Sequence, residues 1–235
     1  MSKRAVILAG GRGSRLRPYT VVLPKPLMPV GPYSILEIIV RQLAKRGFGR
    51  ITMAVYYKAE SIKALFGDGS KWGVAIDYSL EDRPLSTIAP LRLIPDLPVH
   101  FLVMNGDVLT DLDFGTFYET HVQAQGAGFT ISCSRRQNLI DYGVLDTSDG
   151  RLVGFKEKPV SEYVVSMGVY MVSRRILDYV PENQSFGFDD LMHTLLNRGE
   201  LVRTCEHKGY WLDIGRPDDY LQAIEEFDRL KSVFL

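Results

Sequence analysis

The chain has 235 residues, 46% of them hydrophobic, which is enough for one sizeable α/β core, and residues 1–235 are expected to form a single domain. Its 28 basic and 28 acidic residues cancel, so no global field draws it to nucleic acid or to a membrane, and any anion recognition must be local. No apolar run approaches transmembrane length and the N-terminus opens into a strand rather than a signal peptide, while Cys133 and Cys205 lack Cys-x-x-Cys spacing; buried reduced thiols and a cytoplasmic setting are expected.

Ala5-Val6-Ile7-Leu8 reads as a buried strand running into Ala9-Gly10-Gly11-Arg12-Gly13-Ser14-Arg15-Leu16-Arg17-Pro18, with Pro24-Lys25-Pro26-Leu27 following. Glycines after a buried strand let backbone N–H groups close on an anion, and three arginines and a lysine supply cations, so this is a polyphosphate cradle. No Gly-Lys-Ser/Thr closes a P-loop here. The third glycine of a dinucleotide fingerprint is Leu16.

Apolar residues at helical spacing predict a helix over Ile35 to Arg46, stopped at Gly47. A strand follows at Ile51 to Val55, a helix at Ala59 to Phe66 and a strand at Val74 to Tyr78. Thr87 is expected to cap a helix from Ile88, with Pro90 in its first turn. His100 to Met104 is another buried strand, and Asp113 caps a helix from Phe114 to about Gln125. Strands are expected at Gly128 to Cys133, Gly143 to Leu145, Leu152 to Phe155 and Val164 to Val172, then helices at Asp189 to Arg198 and Pro217 to Leu230.

The order implies a Rossmann-like α/β fold. Its sheet should be mixed but mainly parallel, with helices on both faces and ligands at the carboxyl ends of the strands. No hexapeptide repeat of a β-helix is visible. Asn105-Gly106-Asp107 puts a carboxylate at one such strand end, and Asp213 follows another apolar stretch. Asp111 and Asp113 read as loop and cap residues, and His100, His121, His193 and His207 show no metal spacing.

These residues resemble the sugar-phosphate nucleotidyltransferases, whose pattern of an apolar strand, Gly-Gly-x-Gly-x-Arg-Leu-x-Pro and Pro-Lys-Pro-Leu is met at Gly10 to Pro18 and Pro24 to Leu27. Further motifs from Pro84 to Gly215 extend the resemblance over nearly the whole chain. It implies transfer of a nucleotidyl group from a nucleoside triphosphate to a sugar 1-phosphate, with Mg2+ as cofactor and a homo-oligomer allowed. By the same resemblance, Arg15 and Lys25 are catalytic. Leu8, Ala9, Gly10, Gly11, Gly13, Ser14 and Arg15, with Pro84, Ser86, Thr87, Asn105 and Gly106, bind the nucleotide. Asp107 and Asp213 are the metal pair. Phe155-Lys156-Glu157-Lys158-Pro159 matches the Glu-Lys-Pro motif, so Glu157 and Lys158, with Gly143 and Ser166, are assigned to the sugar phosphate.

Two departures bear on specificity. Pro84-Leu85-Ser86-Thr87-Ile88-Ala89 stands where the family often reads Pro-Leu-Gly-Thr-Ala-Gly, which would set the side chains of Ser86, Ile88 and Ala89 beside the base. Ser166-Met167-Gly168 stands where many members read Asn-x-Gly. Pro90-Leu91 and the run from Gly209 to Gly215 lie closest to mannose-1-phosphate guanylyltransferase-like members, so GTP with a mannose- or heptose-type sugar is the leading expectation. Thymidylyl, uridylyl or cytidylyl transfer to glucose or amino-sugar phosphates is the alternative, as is a non-catalytic nucleotide-sugar sensor. A dinucleotide oxidoreductase is opposed by Leu16 and by Tyr56-Tyr57-Lys58 in place of an acidic ribose ligand.

Overall fold

The computed structural model describes residues 3–235. Strand β1 (Lys3–Leu8) is central because Ala5, Val6 and Ile7 are apolar on both of its faces and all three are fully buried. Ala5 and Ile7 enter one core layer and Val6 the other. After β1 come a four-residue helix α1 (Tyr19–Val22) and a small hairpin of β2 (Pro29–Val30) and β3 (Tyr33–Ser34). Helix α2 (Ile35–Lys45) then starts at Ser34, whose hydroxyl accepts the Glu37 N–H at 3.1 Å.

β4 (Phe48–Val55), α3 (Ala59–Phe66) and β5 (Ala75–Leu80) extend the sheet on one side of β1, all parallel. The chain then crosses back. β6 (His100–Asn105) pairs with the other side of β1 in parallel register, with Leu8 opposite Asn105. This reversal of strand order opens a crevice beyond the carboxyl ends of β1 and β6, the place where open α/β sheets bind ligands.

The second half supplies β7 (Val108–Thr110), α4 (Phe114–Gln123), β8 (Phe129–Leu139), β9 (Gly143–Ser148), β10 (Arg151–Glu157) and β11 (Val160–Ser173). It closes with α5 (Phe188–Asn197), β12 (Val202–Glu206), β13 (Trp211–Asp213) and α6 (Pro217–Phe234). The seven-stranded sheet runs β12-β8-β11-β6-β1-β4-β5 and is mixed, because β11 is antiparallel to both β6 and β8. Residues of α2, α3, α4 and α6 cover one face, while Leu191 and Leu195 of α5 cover the other. No β-helix occurs among the described residues. No helix among them is long and apolar enough to cross a membrane.

Asp113 caps α4 as expected, accepting the Thr116 N–H at 2.9 Å. Asp113→Ala is expected to cost about 1 kcal/mol, the usual loss for an N-cap, and urea unfolding should show a lower midpoint at unchanged slope. His121 is structural: it is buried, its ring nitrogens meeting the hydroxyls of Thr130 (2.8 Å) and Ser173 (3.2 Å). Burial, then the neighbouring His100, pushes its pKa down to about 4.

The expected Thr87 cap is not made. A 3-10 helix over Ala89–Leu93 replaces the predicted α-helix, and the Thr87 hydroxyl instead accepts the N–H of Phe188 at the start of α5, at 2.9 Å. Pro90 stays in the first turn, where its missing N–H costs little, and the bonds that form are of the tighter i→i+3 kind: Leu91 N–H donates to Ile88 O at 3.0 Å and Ile94 N–H to Leu91 O at 3.3 Å. Cys133 is buried as expected but Cys205, on the edge strand β12, is only half-buried; both are free thiols. Several strands run past their predicted ends, most of all β8 and β11.

Candidate active site

Leu8 ends β1 at the crevice and the glycine loop turns over it. Ala9 N–H is bound to Ala54 O at 2.8 Å, and Gly106 N–H to Leu8 O at 2.9 Å. A Cβ at Gly106 would stand 3.1 Å from that carbonyl oxygen, so glycine lets the two loops meet. Gly13 adopts φ 60, the left-handed region, and its carbonyl accepts the Thr20 hydroxyl at 2.8 Å. That turn packs against the side chain of Lys25 and places Ser14 and Arg15 on a short 3-10 turn at the rim.

Lys25 sits on its own 3-10 turn between prolines, 8% exposed. It is ion-paired with Asp107. The second carboxylate arrives through strands β7 and β13, which pair antiparallel with Asp213 opposite Val108, and Ile214 N–H donates to Asp107 O at 3.1 Å. Asp107 and Asp213 are thereby fixed side by side. Asp213 keeps a face open, yet the protein packed around it and then the Asp107 charge raise its carboxyl above the ordinary range, with Lys25 and Arg15 pulling the other way. Arg15 lies against Gly215, with Nη1 3.3 Å from where a Cβ there would stand.

Asp107 Oδ2 faces Lys25, whereas its Oδ1 is buried with no hydrogen-bond partner. A buried carboxylate oxygen without a partner, beside a second carboxylate, is the donor set a hard divalent cation uses when phosphates and waters complete its shell. The residues present fit magnesium. Among the described residues no group of three or more His, Cys, Asp or Glu gathers to make a dedicated cage.

A cleft of about 310 Å³ adjoins this cluster. Of the residues expected on the nucleotide side, Leu8, Gly10, Gly11, Pro84, Ser86, Thr87 and Asn105 line it, as does Asp107. Ala9 and Gly106 are buried beneath its floor, and Gly13, Ser14 and Arg15 lie outside its lining. The expectation for Ile88 and Ala89 is corrected: both are buried in the core layer beside α5, away from the cleft, so only Ser86 of the three intrudes. Ser86 does so in the left-handed region, at φ 71, which favours glycine. Larger hollows exist, one of about 650 Å³ beside Leu97 and Arg174 at the amino end of β6, but neither the glycine loop nor Lys25, Asp107 and Asp213 line it.

Three cleft residues escape the sequence reading, Tyr56, Leu85 and Glu81, and Glu81 is the charged one. Glu81, at the end of β5, is 8% exposed; its Oε2 accepts the Leu85 N–H at 3.1 Å while Oε1 faces Gly10. Burial raises its pKa, against the pull of that N–H. The available signal is the acidic pair Glu81-Asp82 just before Arg83-Pro84, where the strand pattern ends.

The sugar-side residues are divided. Ser166 is near the carboxylates' side of the sheet, its hydroxyl donating to the Tyr170 hydroxyl at 3.2 Å and accepting the Gly168 N–H at 3.3 Å. Burial first, and then the charges of Asp213 and Asp107, raise the pKa of the Tyr170 hydroxyl, against the pull of its hydrogen bond with Ser166. Gly143, Glu157 and Lys158 lie together on the β9–β10 ribbon, with Gly143 opposite Glu157 and Lys158 paired to Asp141 at 2.7 Å. Among the described residues, no hydrogen bond or ion pair joins them to Arg15, Lys25, Asp107 or Asp213.

Residues 4–229 match the family described as Nucleotidyl transferase. The UTP–glucose-1-phosphate uridylyltransferase of Synechocystis sp. is 33% identical over 94% of the chain, and the mannose-1-phosphate guanyltransferase of Schizosaccharomyces pombe is 34% identical over 93%. The chain spans about 62% of the length of each of these two. A D-glycero-alpha-D-manno-heptose 1-phosphate guanylyltransferase of Aneurinibacillus thermoaerophilus is 31% identical over 94% of the chain and 97% of its own length. Among solved structures, HddC from Yersinia pseudotuberculosis complexed with GMP-PN matches with a TM-score of 0.73 and 26% identity, over 97% of this chain and 100% of that one.

Proposed function

The chain belongs to the nucleotidyl transferase family, and from that premise we propose that it transfers a guanylyl group from GTP to the 1-phosphate of a mannose- or heptose-type sugar. A phosphate oxygen of the sugar 1-phosphate attacks the α-phosphorus of GTP in line; the bond to the β-phosphate oxygen breaks and pyrophosphate leaves. No protein nucleophile is needed, so the chain's part is alignment and charge. Arg15 and the glycine loop hold the triphosphate. Lys25, held by Asp107, meets the phosphates between the reactants, and Asp107 with Asp213 would hold magnesium, which supplies charge neutralisation on the phosphate oxygens. Ser166, Gly143, Glu157 and Lys158 are assigned to the sugar phosphate. Residues 1–235 are read as one domain, and the free thiols suit the cytoplasm.

The observation that carries the choice of base is Glu81 in the cleft. Guanine presents two adjacent donors, N1–H and N2–H, to which a carboxylate is complementary. Uracil and thymine offer one N–H flanked by two carbonyls, which a carboxylate repels, and cytosine offers an amine beside an acceptor. The guanylyltransferase relative that matches along nearly its full length supports the same reading.

The test is pyrophosphate release with GTP, dTTP, UTP and CTP, each crossed with mannose, heptose and glucose 1-phosphates. GTP should lead, and Glu81→Gln should cut its advantage by roughly tenfold to a hundredfold, the discrimination set by one mismatched polar edge. An unchanged nucleotide ranking in that variant would overturn the assignment of the base.

A further inference from the structure

Lys58 stands immediately before α3 with φ 53 and ψ 38, in the left-handed region that glycine occupies at least cost. Its side chain does not cap α3. The ammonium crosses instead to another element, where Nζ donates to the carbonyl oxygens of Val21 and Val22, the last two residues of α1. Those carbonyls end a one-turn helix and have no partner within it. No described carboxylate pairs with Lys58, so its donors go to α1. Tyr57 adds to the same grip: the ammonium lies 5.5 Å from its ring centroid, its hydroxyl stands 3.5 Å from Thr20 O, and its N–H donates to Gly10 O at 3.4 Å. A bulky residue held in a strained backbone conformation while its side chain serves a distant segment points to a function for that side chain.

The segment it serves has few anchors of its own. Residues 17–23 are exposed apart from Thr20, and the apolar Tyr19, Val21, Val22 and Leu23 are 40–76% exposed. Thr20 makes the inward bond, from its hydroxyl to Gly13 O at 2.8 Å, and a Cβ at Gly13 would stand 2.9 Å from Thr20 Cγ2 and 3.1 Å from Lys25 Cβ. Thr20 thus sets the left-handed turn from which Arg15 projects, and α1 sets Thr20. Leu16, fully buried, is the other fixed point. The side chain of Arg15 makes no hydrogen bond or ion pair with a described residue, so its placement follows the backbone beneath it.

We propose that Lys58 is a positioning residue: by binding the open end of α1 it fixes the strap from Gly13 to Leu23, and through the strap it holds Arg15 against the triphosphate. This rests on the nucleotidyl-transfer reading in which Arg15 acts on the triphosphate. Without the ammonium, α1 keeps only Thr20 as an inward anchor, and the cation on the rim shifts with it. A misplacement of about 1 Å costs on the order of a hundredfold in rate. Lys25 is fixed independently, by burial and by Asp107, so the effect falls on Arg15.

Lys58→Gly separates side chain from backbone at this position, because glycine keeps the left-handed conformation and a favourable N-cap for α3 while removing the ammonium. With the triphosphate and sugar 1-phosphate that the parent uses best, kcat should fall roughly tenfold to a hundredfold while KM for the triphosphate stays within about twofold. Lys58→Met should lose as much. Lys58→Arg should recover most of the rate, since a guanidinium can also donate to two carbonyls. Lys63→Met, at a surface ion pair on α3, should behave as the parent. In the Arg15→Ala background the glycine substitution should cost less than about twofold, as for residues that act through one another. Amides of Leu16 and Val21 should exchange faster in Lys58→Gly, those of α2 at the parent's rate, and the melting temperature should hold. A parent-like kcat in Lys58→Gly overturns the proposal. So does an undiminished loss in the Arg15→Ala background, or a loss matched by a fallen melting temperature that arginine does not recover. A parent that transfers no nucleotidyl group to any sugar 1-phosphate overturns the proposed function instead. The exchange of the strap then decides alone, and equal rates in the parent and in Lys58→Gly rule the anchor out.

Discussion

Asp107→Asn is expected to reduce turnover by a hundredfold or more while leaving the fold in place. The side chain keeps its shape, so the β7–β13 pairing, which uses the backbone carbonyl of Asp107, survives. What is lost is charge in two directions. Lys25, almost buried, loses its ion-pair partner, and the oxygen that has no partner within the protein ceases to be a carboxylate oxygen for magnesium. Removing a single preorganised charged group from such a site costs on the order of a hundredfold to a thousandfold. The check is the steady-state rate as a function of magnesium, with thermal melting alongside. Partial recovery at high magnesium is expected, because Asp213 remains. Full activity of the parent enzyme in a chelator would instead make the two aspartates a structural pair.

The parts of this site legible in the sequence are those made by neighbours along the chain. The glycine loop after β1 and Asn105-Gly106-Asp107 after β6 announce themselves because a buried strand followed by turn residues is a local pattern. The neighbourhood of Asp213 and Asp107 is different. It depends on two three-residue strands, too short to show periodicity, pairing across about a hundred residues. Thr87 illustrates the same limit: the expected cap of a helix from Ile88 does not form, and its hydroxyl instead accepts the N–H of Phe188, 101 residues along the chain at the start of α5. Glu81 looks like a solvated strand end until the loop at Leu85 folds back and closes over it. The length of β8 and β11 was hidden for another reason. The alternation that marks a half-buried strand is absent where both faces of the ribbon are exposed, so apolar and charged residues follow no period there.

Arg15→Ala should lower kcat/KM for the nucleotide by roughly a hundredfold, and mostly through kcat. Arg15 is exposed on a short rim turn and makes no hydrogen bond or ion pair with other described residues, so its removal opens no cavity and breaks no network. Stability should stay within about 0.5 kcal/mol of the parent, as for a surface substitution. Its guanidinium nevertheless shares the field of Lys25 at Asp213 and lies beside Gly215, which the proposed mechanism puts next to the triphosphate. An interaction strengthened in the transition state and weak in the ground state lowers kcat rather than raising KM. Arg15→Lys should restore only part of the rate, because a single ammonium cannot reproduce the planar two-pronged contact of guanidinium with phosphate. The measurement is the split between kcat and KM for GTP in both variants, beside their melting temperatures. Near-normal turnover in Arg15→Ala would remove Arg15 from the machinery and leave Lys25 as the cation that acts on the α-phosphate. A melting temperature lowered by many degrees would show that the residue holds the loop rather than the substrate.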